Sequence, residues 1–195
     1  MRLWTACKMT IVLTVLTGIV YPVAMAGVAN LLFPYQAQGS LATRGGQIVG
    51  SSLIGQNFNA PRYFQSRPSS AGDKGYDAAN SSASNLGPTN KALIEAVRQR
   101  LKAVTENNPG VPAGQVPIDL VTVSGSGLDS EISPAAAAIQ IARVAKTRGL
   151  DEDAVRGLVA AHTRGRWAGL LGEPGVNVLE LNLALDQLNN TGNPH

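Results

Sequence analysis

The hydrophobic pattern is most uneven near the N-terminus, where a long apolar run occurs. Between Met9 and Thr43 the chain contains no Asp, Glu, Lys, Arg or His. The part from Met9 to Phe33 is almost entirely apolar or small, and it is longer than the roughly 20 residues that a helix needs to cross a membrane. The pattern therefore predicts a transmembrane helix over residues 9–33.

A cleaved signal peptide is a second interpretation of the same run. Arg2 and Lys8 precede the apolar residues, and Ala24-Met25-Ala26 has the A-x-A form of a signal-peptidase site. The apolar run continues past this site to Phe33, which favours an uncleaved anchor. Both interpretations place the rest of the chain outside the cytoplasm.

The flanking charges predict the orientation of the helix. Arg2 and Lys8 lie before it, the next basic residue is Arg44, and positive charge is retained on the cytoplasmic side. The predicted topology is a cytoplasmic N-terminus at residues 1–8 and an extracytoplasmic domain at residues 34–195.

One face of the predicted helix carries small residues at regular spacing. Thr10, Thr14 and Gly18 recur every four residues. Small residues at this spacing let a second membrane helix approach closely, and hydroxyl groups can bond across the contact. We therefore expect this face to pack against a helix of a partner subunit.

Periodicity in the remaining chain predicts a single α+β domain that is helical towards its C-terminus. Residues 57–88 show little periodicity and predict an irregular segment, whereas the apolar positions of residues 116–123 predict a strand. Helices are predicted over Leu93–Val104, between Ser133 and Gly149, from Glu152 to His162 after Asp151, and from Asn177 onward.

Aromatic residues in the irregular segment indicate that it is ordered. Phe58, Tyr63, Phe64 and Tyr76 need an apolar surface on which to pack. Arginine and aromatic residues are also favoured at the centres of protein interfaces. The sequence therefore predicts a partner contact at the cluster Arg62, Tyr63, Phe64 and Arg67.

Composition and motifs exclude several classes of function. Only Arg2 and Lys8 of the 16 basic residues precede Arg44, so charge is nearly balanced in the rest of the chain and no basic stripe indicates nucleic-acid binding. One cysteine and two histidines do not predict a metal site. The chain has no P-loop, G-x-S-x-G or H-E-x-x-H motif, so we expect no catalytic residues, and a membrane-anchored hydrolase is disfavoured.

A serine- and glycine-rich segment follows the predicted strand. Such a segment can direct backbone N–H groups towards an anion, although a tight turn is the simpler interpretation. Its residues are Ser124, Gly125, Ser126, Gly127, Leu128 and Asp129.

Several short segments, in order along the chain, resemble the C subunit of the Kdp-type potassium-transporting ATPase of bacteria and archaea. The resemblance covers nearly the whole chain and depends on many ordered motifs together. They are NLLFP at 30–34, SLIGQNF at 52–58, PRYF at 61–64, SNLGPTN at 84–90, SGSGLD at 124–129, ISPAA at 132–136 and GEPGVNVLELN at 172–182.

The resemblance implies a non-catalytic subunit of a high-affinity, ATP-driven potassium uptake pump in the bacterial inner membrane. Its implied partners are a channel-like A subunit that carries the ion, a P-type B subunit that hydrolyses ATP, and a small F subunit. The C subunit is expected to stabilise their assembly. A membrane-anchored or secreted extracytoplasmic binding module is the alternative.

The resemblance also implies a catalytic chaperone that raises the ATP affinity of the B subunit. In this description the Ser124–Asp129 segment is likened to a nucleotide-binding signature, with ATP as its ligand. The predicted topology conflicts with direct binding, because cytoplasmic ATP does not reach a domain on the outer face.

Overall fold

The computed structural model describes residues 2–191, with side chains as far as residue 188. The chain forms two compact units, one up to Ser51 and one from Ser52 onward. The second unit is called the C-terminal domain below. The overall architecture is α+β with one long apolar helix at the N-terminus, as predicted.

The N-terminal helix is continuous over 31 residues and is apolar and long enough to cross a membrane. A π-helical turn in its middle has a local cause: Pro22 has no N–H, and its ring conflicts with a carbonyl of the preceding turn. The turn widens, and the Tyr21 N–H bonds to the Leu16 carbonyl, five residues back. The parts are α1 (Arg2–Val15), the π-helical turn (Leu16–Val20) and α2 (Tyr21–Leu32).

A short helix and a β-hairpin complete the first unit. They are α3 (Pro34–Ala37), β1 (Leu41–Arg44) and β2 (Gln47–Ser51). Gly45 and Gly46 form the two-residue turn with φ of 57° and 79°. Two positive φ values in succession are what a tight hairpin turn requires, and glycine adopts them without steric conflict. Gly45-Gly46 before the β-prone Ile48-Val49 is the sequence signal for this hairpin, which was not among the elements predicted above.

The C-terminal domain begins with an irregular segment, as predicted. No helix or strand occurs from residue 52 to residue 90, although the segment is held in place by Phe64, which is fully buried. Helix α4 (Lys91–Asn107) follows, and the side chain of Asn90 caps it by accepting a hydrogen bond from the Ala92 N–H.

The strand predicted over residues 116–123 is wrong. A short 3₁₀ turn occurs there instead, at Ile118–Leu120, and another lies just before it, at Ala113–Gln115. Pro112 and Pro117 precede them directly with φ of −64° and −63°, and a proline cannot donate to a β-ladder. Leu120 and Val121 are both buried, which an alternating strand would not allow.

The helix predicted between Ser133 and Gly149 has the expected ends but is interrupted. The Ser133 hydroxyl accepts the Ala136 N–H at one end, and Gly149 adopts the left-handed conformation with φ of 65° at the other. In the middle, the buried Gln140 side chain donates to the Ala136 carbonyl. The two parts are α5 (Pro134–Ala138) and α6 (Ile141–Arg148).

The last part of the domain combines two helices with a three-stranded antiparallel sheet of order β3-β5-β4. Helix α7 is capped by Asp151 and α8 by Asn177, as predicted, since their side chains accept N–H groups from Ala154 and Glu180. The elements are β3 (Glu131–Ile132), α7 (Glu152–Ala161), β4 (Thr163–Arg164), β5 (Gly175–Asn177) and α8 (Val178–Thr191).

One hydrophobic core fills the C-terminal domain. Apolar side chains from the irregular segment, from α4 to α8 and from the sheet meet there. The largest of its members that are almost fully buried are Phe64, Ile132, Ile141, Val144, Val155, Val176, Val178, Leu181 and Leu185.

Candidate functional site

Residues 61–65, called the clasped segment below, are held by two buried amide side chains. Asn182 of α8 accepts the Phe64 N–H at 2.9 Å and donates to the Phe64 carbonyl at 2.9 Å. Gln140 does the same for Gln65, at 2.8 and 3.2 Å. Each amide thus satisfies one residue's backbone as a neighbouring strand would, which lets an irregular segment lie in the interior.

Charged groups hold the rest of the clasped segment. The Arg143 guanidinium donates to the carbonyls of Pro61 and Tyr63, and burial lowers its pKa from the ordinary value to about 10, so it stays protonated at neutral pH. The Arg148 Nε donates to the Arg62 carbonyl at 2.6 Å. Two arginines of α6 therefore hold this segment by hydrogen bonds to its backbone carbonyls.

Asp186 of α8 is the anion that binds Arg148, Tyr63 and Arg62 together. Its carboxylate accepts Arg148 at 2.8 Å and the Tyr63 hydroxyl at 3.0 Å, and it lies 3.4 Å from Arg62. The Arg148 and Asp186 side chains are only 1% and 4% exposed. A buried pair of this kind depends on complete hydrogen bonding, because an uncompensated charge in the interior is strongly destabilising.

The predicted partner-contact cluster is therefore divided by the fold. Phe64 lies in this chain's own core, and Tyr63 is partly buried against Asp186. The Arg62 side chain remains 53% exposed, and Arg67 binds Asp129 at 2.8 Å with 24% of its side chain exposed. Any contact of this cluster with a partner subunit falls mainly to Arg62, and that contact stays a prediction.

Asn182→Ala is expected to lower the free energy of unfolding of the C-terminal domain by about 2–3 kcal/mol, because the Phe64 N–H and carbonyl lose their buried partner. Asn107→Ala, at an exposed position of α4, is the matched control with little expected change. Urea titration of the full chain in detergent micelles, followed by circular dichroism, measures both. Equal midpoints for the two variants would contradict the structural role of Asn182.

The Ser124–Asp129 segment forms a tight turn packed against the irregular segment. Two of its backbone N–H groups are already bonded inside the turn: Gly127 donates to the Ser124 carbonyl and Leu128 to the Ser126 hydroxyl. Carbonyl groups of the turn accept hydrogen bonds from the backbone N–H groups of Ser82 and Gly55 and from the hydroxyls of Ser81 and Ser69. The Ser124 hydroxyl is buried, with no hydrogen-bond partner among the described residues. The predicted nucleotide contact at this turn remains untested.

Two glycines allow the turn to approach its neighbours. A Cβ on Gly127, where φ is +67°, would lie 2.6 Å from the Ser82 carbonyl oxygen and 2.8 Å from the Ala71 nitrogen. A Cβ on Gly55 would lie 2.3 Å from the Asp129 carbonyl oxygen. Both positions therefore require glycine for packing, independently of any ligand.

The residues that organise this site were not among those predicted from the sequence. Asn182 and Asp186 lie four residues apart on α8, beside the buried Leu181 and Leu185. Polar residues that interrupt the apolar face of a helix were the available signal, because such groups need buried partners. Within residues 2–191, no group of three or more His, Cys, Asp or Glu is placed to hold a metal ion.

Comparison with known proteins identifies the family of the chain. A family model described as the c chain of K⁺-transporting ATPase matches residues 3–187. The KdpC subunit of the potassium-transporting ATPase of Rhodopseudomonas palustris is 55% identical over 192 residues, covering 93% of this chain and 94% of the relative.

Two further relatives carry the same name. The Polaromonas naphthalenivorans subunit is 58% identical, with 91% of this chain and 90% of the relative covered. The Methylococcus capsulatus subunit is 54% identical, with 94% and 96% covered. Since the family match covers both the N-terminal apolar helix and nearly all of the C-terminal domain, the chain belongs to the KdpC family of potassium-transporting ATPase subunits.

Proposed function

We propose that the protein is a membrane-anchored, non-catalytic accessory subunit of an ATP-driven potassium uptake pump, and that it stabilises assembly of the channel-like subunit with the P-type ATP-hydrolysing subunit. The small F subunit completes the proposed complex. The observation that carries this proposal is the family match over residues 3–187, which includes both the apolar helix and the domain that follows it.

The N-terminal helix offers a surface for such assembly. Thr10, Thr14 and Gly18 are exposed, and a Cβ added at Gly18 would meet nothing within 4 Å. Gly18 lies in the π-helical turn that precedes Pro22, where a backbone carbonyl loses its usual donor. In a membrane, a neighbouring helix is one of the groups that can satisfy such a carbonyl, which supports a packed helix at this face.

The subunit with its native helix is expected to co-purify with the two large pump subunits from detergent-solubilised membranes, and Gly18→Leu should reduce their yield severalfold by blocking close helix approach. Gly27→Leu is the matched control, since it adds the same side chain elsewhere on the helix, also in open space. The readout is the amount of each large subunit per tagged chain, together with growth at low potassium.

The experiment distinguishes a wrong proposed function from a wrong choice of contact face on the helix. Failure of the native chain to bring down either large subunit would overturn the proposed function. Equal yields for Gly18→Leu and Gly27→Leu would leave the function standing and show that the Thr10, Thr14, Gly18 face is not the contact.

An effect on ATP affinity is best explained by coupling through the assembled pump. We infer from the basic flank at Arg2 and Lys8 that the C-terminal domain lies outside, on the side away from cytoplasmic ATP. A subunit can still change nucleotide affinity at a distant site if it stabilises one conformation of the complex, and the coupling free energy is then reciprocal. Direct ATP binding at the Ser124–Asp129 turn is the competing proposal.

A cysteine placed at Ser126 is expected to react with a membrane-impermeant thiol reagent in intact cells whose outer barrier has been permeabilised. Cys7 is the only native cysteine, so Cys7→Ser with Ser126→Cys gives a single labelling site. The Cys7→Ser chain without the second substitution is the blank. Labelling of Ser126→Cys only after lysis would place the turn in the cytoplasm and favour direct ATP binding.

A further inference from the structure

The turn of the hairpin that connects β4 to β5 is exposed and apolar. It comprises residues 167–171 and is called the hairpin tip below. Trp167 and Leu171 pair across it as an isolated β-bridge. The side chains of Trp167, Leu170 and Leu171 are 74%, 82% and 61% exposed. Large apolar side chains grouped at a protruding turn mark a contact with another protein or with a membrane.

The backbone of the hairpin tip is suited to an apolar environment. The Trp167 N–H donates to the Leu171 carbonyl, and the Gly169 N–H donates to the Arg166 carbonyl. The N–H groups of Leu170 and Leu171 both donate to the Trp167 carbonyl. Backbone that enters a bilayer must satisfy its polar groups internally, because no water replaces the lost hydrogen bonds there. Four of the five N–H groups of the tip meet this condition before any partner is present.

The charged residues just before the hairpin tip are basic, and Glu173 follows the tip. No Asp or Glu occurs between Asp153 and Glu173, whereas Arg156, Arg164 and Arg166 do. Arg164 pairs with Glu131 and Arg166 with Glu173, and both arginine side chains are about half exposed or more. Such surface pairs contribute only about 0–1 kcal/mol, so the arginines can exchange these partners for lipid phosphates.

We propose that the hairpin tip inserts into the headgroup region of the bilayer that the N-terminal helix spans. Three apolar side chains are too small a surface for an independent protein interface, which buries about 800 Å² on each partner. They suffice for a domain that is already tethered, because the tether keeps its effective concentration at the membrane high. At most about 65 Å of extended chain, residues 33–51, separates the anchor from the domain.

The residue types at the tip are those typical of a membrane interface. Tryptophan is enriched at membrane–water interfaces, where its ring enters the headgroup level, and arginine side chains reach up to phosphates. The hairpin tip presents Trp167 beside Arg166, with Leu170 and Leu171 on the same turn. The inference depends on the anchor proposed above.

The test uses the full chain with Trp4→Phe in vesicles of mixed neutral and anionic lipid, so that Trp167 is the only tryptophan. Trp167 emission should shift to the blue, and lipids brominated on the acyl chain near the headgroup should quench it. The matched control adds Trp167→Phe and Ile118→Trp. Ile118 is also 74% exposed, so its tryptophan should stay accessible to aqueous quenchers and unaffected by brominated lipid.

Each outcome supports or overturns the proposal. Leu170→Ser with Leu171→Ser should reduce quenching of Trp167 by lipid while circular dichroism stays unchanged. Equal, purely aqueous quenching of Trp167 and of the Ile118→Trp control would overturn it, as would protection of Trp167 only after the other pump subunits are reconstituted. Chain that does not float with the vesicles would instead show that the anchor itself fails.

Discussion

Asp186→Ala should destabilise the C-terminal domain by about 3–5 kcal/mol, which is a large part of the roughly 5–15 kcal/mol by which a domain is usually stable. The reason is the Arg148 guanidinium, which is 1% exposed and would lose its carboxylate partner inside the protein. The Tyr63 hydroxyl would lose its acceptor in the same step. Resistance of the full chain to pulse proteolysis across a urea series measures the loss.

The control for this prediction is Asp153→Asn. Asp153 is 90% exposed and pairs with Arg156 at 3.8 Å on the surface of α7. Removal of a surface charge pair usually changes stability by less than about 1 kcal/mol. A loss for Asp186→Ala no greater than for Asp153→Asn would show that Asp186 does not hold the clasped segment as the structure indicates.

Gly127→Ala is expected to lower the free energy of unfolding by about 2–4 kcal/mol, through left-handed backbone strain and contact with the backbone of Ala71 and Ser82. Gly125→Ala, two residues earlier in the same turn, meets nothing within 4 Å and should change it by less than about 1 kcal/mol. Thermal unfolding of both full-length variants in micelles makes the comparison.

The same pair of variants distinguishes a packing role of the turn from a nucleotide role. If the turn serves packing, pump assembled with Gly125→Ala keeps its ATP dependence, and Gly127→Ala lowers the amount of assembled pump. If Gly125→Ala leaves assembly intact but raises the ATP concentration needed for hydrolysis, the turn acts on nucleotide and the packing interpretation is insufficient.

Helix boundaries were predictable because they depend on local chemistry. Asn177 and Asp151 cap the helices that follow them, and Gly149 ends α6, since each effect involves residues within one turn. The strand predicted at 116–123 was wrong because its apolar content was weighed above Pro117. Leu120 is buried in the core and the Val121 carbonyl accepts a hydrogen bond from Arg100 of α4, so the burial here does not come from strand alternation.

The clasp was not predictable, because its partners are distant in sequence. Asn182 and Phe64 are 118 residues apart, and Gln140 and Gln65 are 75 apart. Neither amide carries a local signal for its partner, and the segment it holds has no periodicity. The resemblance to a known family identified the chain without indicating which polar side chains lie inside.

The position of the clasp also sets the order in which the domain can fold. Helix α8 is the last element of the chain that is described, and it supplies both Asn182 and Asp186. During synthesis, the segment around Phe64 emerges long before these partners, and contacts this far apart in sequence form late and slowly. The first half of the domain therefore cannot complete its fold until α8 has left the ribosome and, under the proposed topology, has crossed the membrane. A nascent chain halted before Asn182 would expose Phe64 to proteases and chaperones.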